Sequence, residues 1–188
     1  MSSREKSAKD RIDARRKKIA DIKGDQAAAN QARIEKIASG GAAMDNAWVA
    51  HCLGHLKEDE DVLVSESQLA LGNLSLRNPG TFFGTSPAGG LGWGLGAGIG
   101  VKLGDRDRRV WNVVGDGSYM FGNPTPAHFV SSAYDLPVLT VIMNNKMWGS
   151  VRKATLGLYP EGAASSANQA PLTYLDPAPE YHKIVEAS

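Results

Sequence analysis

VWNVVGDG, residues 110–117, is an apolar run that ends on an acidic residue between two glycines. A second apolar run ends on paired asparagines at residues 138–145 (VLTVIMNN), and one helix-length segment lies between the two runs. This arrangement is typical of two adjacent parallel strands joined by a helical crossover. Asp116 and Asn145 would then emerge at the same carboxyl edge of the sheet, where open α/β folds bind ligands.

The residue types at this edge favour a metal-bound diphosphate. Asp116 offers a carboxylate, Asn145 offers an amide oxygen, and Gly117 leaves backbone N–H groups free to approach a phosphate. Hard oxygen ligands of this kind suit Mg²⁺ or Ca²⁺, and Mg²⁺ usually completes its coordination with substrate phosphate oxygens and water. The sequence therefore predicts a clamp that holds a diphosphate through a metal ion.

Both motifs are part of a longer resemblance. The segment from Gly115 to Asn145 resembles the thiamine-diphosphate-binding signature, which opens with GDG and closes with NN. LRNPG at residues 76–80 and GGLG at residues 89–92 resemble the segment that cradles the aminopyrimidine ring in benzoylformate decarboxylase. Over residues 45–188 the chain is similar to the diphosphate-binding domain of a family that includes acetolactate synthase, benzoylformate decarboxylase and pyruvate decarboxylase.

The resemblance implies an α/β fold with a three-layer, doubly wound parallel sheet, the thiamine diphosphate-binding fold. Residues 42–188 would form this diphosphate and magnesium domain. Residues 1–41 would form a basic helical connector, which in longer relatives links the middle domain to this one. Because at least one more strand and helix normally follow in the family, we expect a domain that is truncated at its C-terminus.

The resemblance also implies a role for each matching position. The Mg²⁺ ligands would be the side chains of Asp116 and Asn145 and the carbonyl of Met147. Gly89 would accept the cofactor's 4′-amino group through its carbonyl. Leu91 would wedge under the bent cofactor, although packing in the core explains this leucine equally well. The full set of expected cofactor contacts is Ser67, Gly89, Gly90, Leu91, Asp116, Gly117, Ser118, Asn145, Met147, Trp148 and Gly149.

Catalysis in this family needs a second domain. A glutamate on a pyrimidine-binding domain, usually donated by another subunit, protonates the cofactor ring; the sequence shows no such domain, so no catalytic residue is assigned. Glu66 is the only acid near the expected site in sequence. We expect the thiamine diphosphate- and Mg²⁺-binding domain of an acetolactate synthase-like or 2-oxo acid decarboxylase-like enzyme. The enzyme would act on a small 2-oxo acid and form an oligomer, and it would require a separate pyrimidine-binding domain or subunit. The alternative is a truncated, catalytically inactive cofactor-binding fragment.

Charge is distributed unevenly along the chain. Residues 1–38 carry eleven Lys or Arg and six Asp or Glu, a balance of +5, against −4 for the remainder. The basic run at residues 15–18 could contact nucleic acid, but the surrounding aspartates and the absence of aromatic residues favour a solvated helix. The chain has no apolar run of membrane-spanning length and no secretory signal. We therefore expect a cytoplasmic protein with neither nucleic acid nor membrane as a partner.

Local patterns place the remaining elements. Asp45 is expected to cap a helix, a short buried strand is expected at residues 62–64, and a helix at residues 123–134. Residues 89–104 are ambiguous, because alternating glycines favour a strand whereas apolar residues at helical spacing favour a helix; the family resemblance indicates a helix. Their loose nucleotide-binding pattern has no clear preceding strand, so nucleotide binding is not expected. Residues 146–153 are expected to cover the phosphates and enter a helix, with a polar loop beyond.

Overall fold

The computed structural model describes residues 3–85, 90–167 and 172–188, with side chains from residue 7 onward. Contacts divide the chain into two compact units, Met1–Leu56 and Lys57–Ser188. The sequence places a domain boundary between residues 41 and 42, and that boundary stays a prediction.

The first unit consists of two helices that pack against each other, α1 (Ser3–Ala38) and α2 (Asn46–Leu56). α1 continues through Gly24, which interrupts its apolar stripe but not its backbone. Ile34 and Ile37 near the end of α1 are buried. Among the helices in the described residues, none is both long and apolar enough to cross a membrane.

Asp45 caps α2, as the sequence predicts. The N–H groups of Ala47 and Trp48 donate to Asp45 Oδ1 at 2.8 and 2.9 Å. Arg33 of α1 donates to Asp45 Oδ2 at 2.5 Å, which ties the two helices together. Burial alone would raise the pKa of Asp45, but the bonds from Trp48, Arg33 and Ala47 outweigh it and hold this pKa below its ordinary value.

The second unit is built on a four-stranded parallel sheet with the order β2-β1-β3-β4. The strands are β1 (Val62–Ser65), β2 (Phe82–Gly84), β3 (Val110–Gly115) and β4 (Leu139–Met143). From β1 the chain adds one strand on one side and then β3 and β4 on the other, so the strand order reverses between β1 and β3. The predicted α/β class with a parallel sheet is confirmed.

The register of the sheet brings the carboxyl ends of three strands to one edge. Ser65 of β1 pairs with Val113 of β3, and Gly115 of β3 pairs with Met143 of β4. The residues after these strands therefore leave the sheet on the same side, beside the reversal in strand order. Open α/β sheets bind ligands at this position.

Helices connect the strands of the second unit. They are α3 (Trp93–Gly104), α4 (Asp116–Phe121), α5 (Pro124–Ala133), α6 (Gly149–Leu158), α7 (Ala163–Ser166) and α8 (Tyr181–Glu186). The sequence predicts helices α3, α5 and α6. It does not predict helices α4, α7 and α8 or strand β2. The elements that the sequence does not predict are too short to show a periodic pattern. At least one of them, α8, is stabilised by tertiary packing. Tyr181 and Ile184 of α8 pack against a core cluster of Leu95, Val114 and Tyr119.

α3 approaches β3 closely because its glycines present no side chains there. A Cβ on Gly94 would lie 2.9 Å from Val114 Cγ1, and a Cβ on Gly98 would lie 3.5 Å from Asn112 Cβ. The buried Asn112 side chain lies beside both glycines, and its amide nitrogen and oxygen have no hydrogen-bond partner within the described residues. Gly94 and Gly98 therefore mark a contact between helix and sheet, and the segment that the sequence leaves ambiguous is a helix.

Candidate functional site

Asp116 and Asn145 meet at the carboxyl edge of the sheet. Asp116 directly follows β3 and is only 2% exposed, whereas Asn145 follows β4 and is exposed. The two side chains share the N–H group of Met147, which lies 3.2 Å from Asp116 Oδ2 and 3.0 Å from Asn145 Oδ1. Two side-chain oxygens from different strands therefore converge on one point.

A later segment of the chain holds the loop that carries Met147. Met147 forms an antiparallel bridge with Tyr174. The Trp148 N–H donates to the Thr173 carbonyl at 2.8 Å, and the Leu175 N–H donates to the Lys146 carbonyl at 2.8 Å. The sequence suggested only a polar loop here, because pairing between backbone groups leaves no side-chain pattern to detect.

Two glycines of the site lie against side chains that leave no room for a Cβ. A Cβ on Gly117 would lie 2.7 Å from Cε3 of Trp148, so the indole ring covers this position. A Cβ on Gly149 would lie 2.8 Å from Nδ2 of Asn145. The ring of Phe121 meets Trp148 edge-on, with centroids 6.3 Å apart. Trp148 and Gly149 therefore lie next to Gly117 and Asn145, at the edge of the sheet where the two oxygens converge.

The GDG motif starts helix α4 rather than forming an open loop. Asp116 Oδ1 accepts a hydrogen bond from the Gly117 N–H at 2.9 Å, and Ser118 is buried in the same turn. The Gly117 N–H is therefore already bonded in the structure, and its predicted approach to a phosphate stays a prediction. A negative charge in the first turn of a helix is favourable, because it faces the positive end of the helix dipole.

The glycine-rich turn before α3 forms a second wall at this edge of the sheet. Gly89 lies outside the described residues, Gly90 is exposed and Leu91 is half-buried. Gly92 has φ of 83°, a left-handed conformation that favours glycine. Its backbone packs directly on Gly122 at the end of α4, because a Cβ on Gly92 would lie 2.7 Å from Gly122 N and Cα.

Glu66, which follows β1 at the same edge, binds this turn through both carboxylate oxygens. Oε1 accepts from the Gly92 N–H at 2.5 Å and Oε2 from the Gly94 N–H at 2.8 Å. Sequence reasoning missed this contact, although an acid after a buried strand and a glycine-rich helix start were both visible. The next residue, Ser67, accepts a bond from Ser65 Oγ through its carbonyl at 2.8 Å.

A cluster of the buried Tyr119 with the half-buried His128 and Tyr181 supports the helix that carries Asp116. The Tyr119 hydroxyl lies 2.8 Å from His128 Nε2, and the Tyr181 ring meets Tyr119 edge-on with centroids 5.5 Å apart. Burial raises the pKa of Tyr119 and lowers the pKa of His128. The pKa of Tyr181 is also raised, first by burial and then by the negative charge of Asp116, which places this phenol within electrostatic reach of the site.

The donor set at the converging oxygens fits a magnesium ion that also binds phosphate. Within the described residues no group of three or more His, Cys, Asp or Glu side chains could hold a metal. The available ligands are one carboxylate, one amide oxygen and the Met147 carbonyl, which accepts the Gly149 N–H at 2.8 Å and keeps a second lone pair. Mg²⁺ is commonly bound by one or two carboxylates together with substrate phosphates and water, so a sparse set of this kind is sufficient.

Comparison with known families identifies the domain. The thiamine pyrophosphate enzyme family, through its C-terminal TPP binding domain, matches residues 64–188. The chain belongs to this family. The matched residues include Asp116, Asn145 and the turn before α3, and the recognition made from the sequence motifs is confirmed.

Individual relatives of this thiamine pyrophosphate-binding domain are decarboxylases and synthases. Benzoylformate decarboxylase of Pseudomonas aeruginosa is 35% identical over 79 residues, which are 42% of this chain and 14% of the relative. The probable 2-ketoarginine decarboxylase AruI of the same organism is 34% identical over 119 residues, 62% of this chain and 21% of the relative. Acetolactate synthase of Mycobacterium avium is 27% identical over 114 residues, 61% of this chain and 18% of the relative.

A solved structure shares the fold. The thiamine diphosphate-dependent 4-hydroxybenzoylformate decarboxylase of Rhodococcus jostii RHA1 superposes with a TM-score of 0.64 and is 26% identical. The match covers 78% of this chain and 27% of that protein. The chain thus spans about a quarter or less of the length of the relatives it matches.

Proposed function

We propose that this chain binds thiamine diphosphate through a Mg²⁺ ion, with Asp116, Asn145 and the Met147 carbonyl as protein ligands. The observation that carries the proposal is the convergence of Asp116 Oδ2 and Asn145 Oδ1 on one N–H group. Each of these oxygens keeps a further lone pair, with which it would bind a cation beside that N–H group. The other residues proposed to line the cofactor are Ser67, Gly89, Gly90, Leu91, Gly117, Ser118, Trp148 and Gly149.

The enzyme served by this domain is proposed to be a 2-oxo acid decarboxylase or an acetolactate synthase-like carboligase. Both kinds of protein occur among the relatives. Bound thiamine diphosphate supplies an electron sink for the loss of CO₂ from a 2-oxo acid. The residues of this chain would bind the metal and diphosphate and orient the rest of the cofactor.

Turnover is proposed to require a separate pyrimidine-binding domain or subunit. The chain covers no more than 21% of each of the curated relatives compared above, and both oxygens of Glu66 are already bonded to backbone N–H groups. The second candidate function is a cofactor-binding fragment without activity. Assays of CO₂ release from 2-oxo acids, with and without a pyrimidine-domain partner, separate the two, since only the first gains activity when the partner is added.

Calorimetric titration tests the metal clamp. Asp116→Ala should weaken Mg²⁺-dependent thiamine diphosphate binding by about 100-fold or more, since loss of even an indirect metal contact costs roughly 10–100-fold. Asn145→Ala should weaken it less, because a neutral oxygen is removed. Asn144→Ala is the matched control, because this neighbouring side chain accepts a hydrogen bond from the Lys146 N–H at 3.1 Å rather than from Met147. Equal affinity in all variants, or binding that persists in EDTA, would contradict the proposal.

A further inference from the structure

The turn before α3 is fixed from two sides. On one side Glu66 holds the Gly92 and Gly94 N–H groups with both carboxylate oxygens. On the other side the backbone of Gly92 lies against Gly122, so that neither glycine has room for a Cβ. Charge-assisted hydrogen bonds of this kind are about twice as strong as hydrogen bonds between neutral groups.

Glu66 and Asp116 start from neighbouring strands of the sheet. Glu66 follows β1 and Asp116 follows β3, and the Glu66 N–H itself donates to the Val113 carbonyl of β3 at 2.8 Å. The carboxylate that holds the turn is therefore anchored to the strand that carries the metal clamp. This connection links the turn to the clamp through two neighbouring strands.

We infer that Glu66 is a positioning residue, which sets the turn at residues 90–92 relative to the diphosphate clamp. This inference rests on the proposed function, in which the turn faces the pyrimidine end of thiamine diphosphate and the clamp holds its diphosphate end. In this arrangement Glu66 acts through the turn, because both of its carboxylate oxygens accept hydrogen bonds from backbone N–H groups there. Its loss should affect a ligand that spans both parts of the site and spare a ligand that occupies the clamp alone.

Two probes separate the parts of the site: thiamine diphosphate and inorganic diphosphate, each titrated with Mg²⁺ into the full chain. Glu66→Gln replaces one acceptor oxygen by an NH₂ group that faces a backbone N–H. We expect Glu66→Gln to weaken the binding of thiamine diphosphate by about tenfold or more, in line with the loss of a hydrogen bond to a charged group. The affinity for inorganic diphosphate should stay within about twofold. Asp116→Ala should weaken the binding of both probes.

Two further variants keep the test decisive. Glu66→Asp retains the charge but is too short to reach both N–H groups, and it should show a smaller selective loss. Glu161→Gln makes the same change of charge at an exposed position and should leave both affinities unchanged. In Glu66→Gln, amide hydrogen exchange should accelerate at Gly92 and Gly94 and remain unchanged at Met147.

The outcomes are distinguishable from one another. Selective loss of thiamine diphosphate with faster exchange at Gly92 and Gly94 supports the inference. Equal loss of both probes would make Glu66 a general structural residue, and unchanged affinities would make the contact dispensable; either result overturns it. A wild-type chain that binds neither probe would overturn the proposed function and, with it, this inference.

Discussion

Gly117 lies under the indole ring of Trp148, and the space allows no side chain. Gly117→Ala should therefore displace the ring and destabilise the second unit by about 1–3 kcal/mol, the usual cost of overpacking. Denaturant unfolding would measure this change. Gly115→Ala is a matched control two positions earlier, because its nearest added contact is an ordinary 3.9 Å. Equal stability of the two variants would show that Trp148 moves freely.

His128 makes the stability of the second unit depend on pH. Burial holds the pKa of His128 below its ordinary 6.5, so on acidification the unfolded chain takes up this proton first. The stabilisation is complete above about pH 6.5 and is lost as pH falls through the folded-state pKa. Protonation would also leave Nε2 of His128 able only to donate to the Tyr119 hydroxyl, which lies 2.8 Å away.

Urea midpoints measured at neutral and mildly acidic pH test this dependence. We expect a smaller loss of stability on acidification in His128→Gln than in the wild type, because the glutamine amide can donate or accept a hydrogen bond to Tyr119 without titrating. His182 is exposed, so His182→Gln should lose as much stability on acidification as the wild type does. Identical profiles for all three proteins would contradict the role of His128.

At the scale of elements, the glycines of α3 fall into two classes. Gly100 faces open space, so Gly100→Ala should stabilise the protein by about 0.5–1 kcal/mol. Gly94 faces Glu66 Oε2 and Val114 Cγ1, each 2.9 Å from its position for a Cβ. Gly94→Ala should therefore destabilise by about 1–3 kcal/mol. Thermal unfolding of the two variants measures both effects, and the same sign of change in both would contradict the packing described for α3.

The strands with long apolar runs were predictable from sequence, and so was the meeting of Asp116 and Asn145. Parallel strands that end at one edge bring their following residues together whatever the details of packing. β2, α4 and α8 were not predictable, because three to six residues carry no readable period. The Glu66 contact with the turn before α3 joins positions 26 and 28 residues apart, and local patterns do not specify such tertiary bonds.

At the scale of the whole molecule, the second unit should fold and bind its cofactor without the first. Removal of residues 1–56 should leave cooperative unfolding and thiamine diphosphate affinity nearly unchanged, because the sheet, the clamp and the turn all lie in Lys57–Ser188. Removal of residues 1–41 alone should leave α2 without α1. An isolated helix of 11 residues is marginal in water, so its amides should then exchange rapidly.

Calorimetry and hydrogen exchange on the two shortened chains distinguish the possible boundaries. Strong protection of α2 after removal of residues 1–41 would favour the boundary predicted from sequence. A large loss of cofactor affinity after removal of residues 1–56 would show that the first unit contributes to the site.

The contact between Gly92 and Gly122 also restricts how this domain can change over evolutionary time. Each glycine occupies the space that a methyl group on the other helix end would need, since a Cβ on Gly122 would lie 2.9 Å from the Gly92 carbonyl oxygen. A substitution at either position is harmful while the other helix end stays in place. Because each clash is with the backbone of the other helix end, a substitution at one position cannot be relieved by a substitution at the other. We expect both positions to remain glycine unless the α4 backbone shifts.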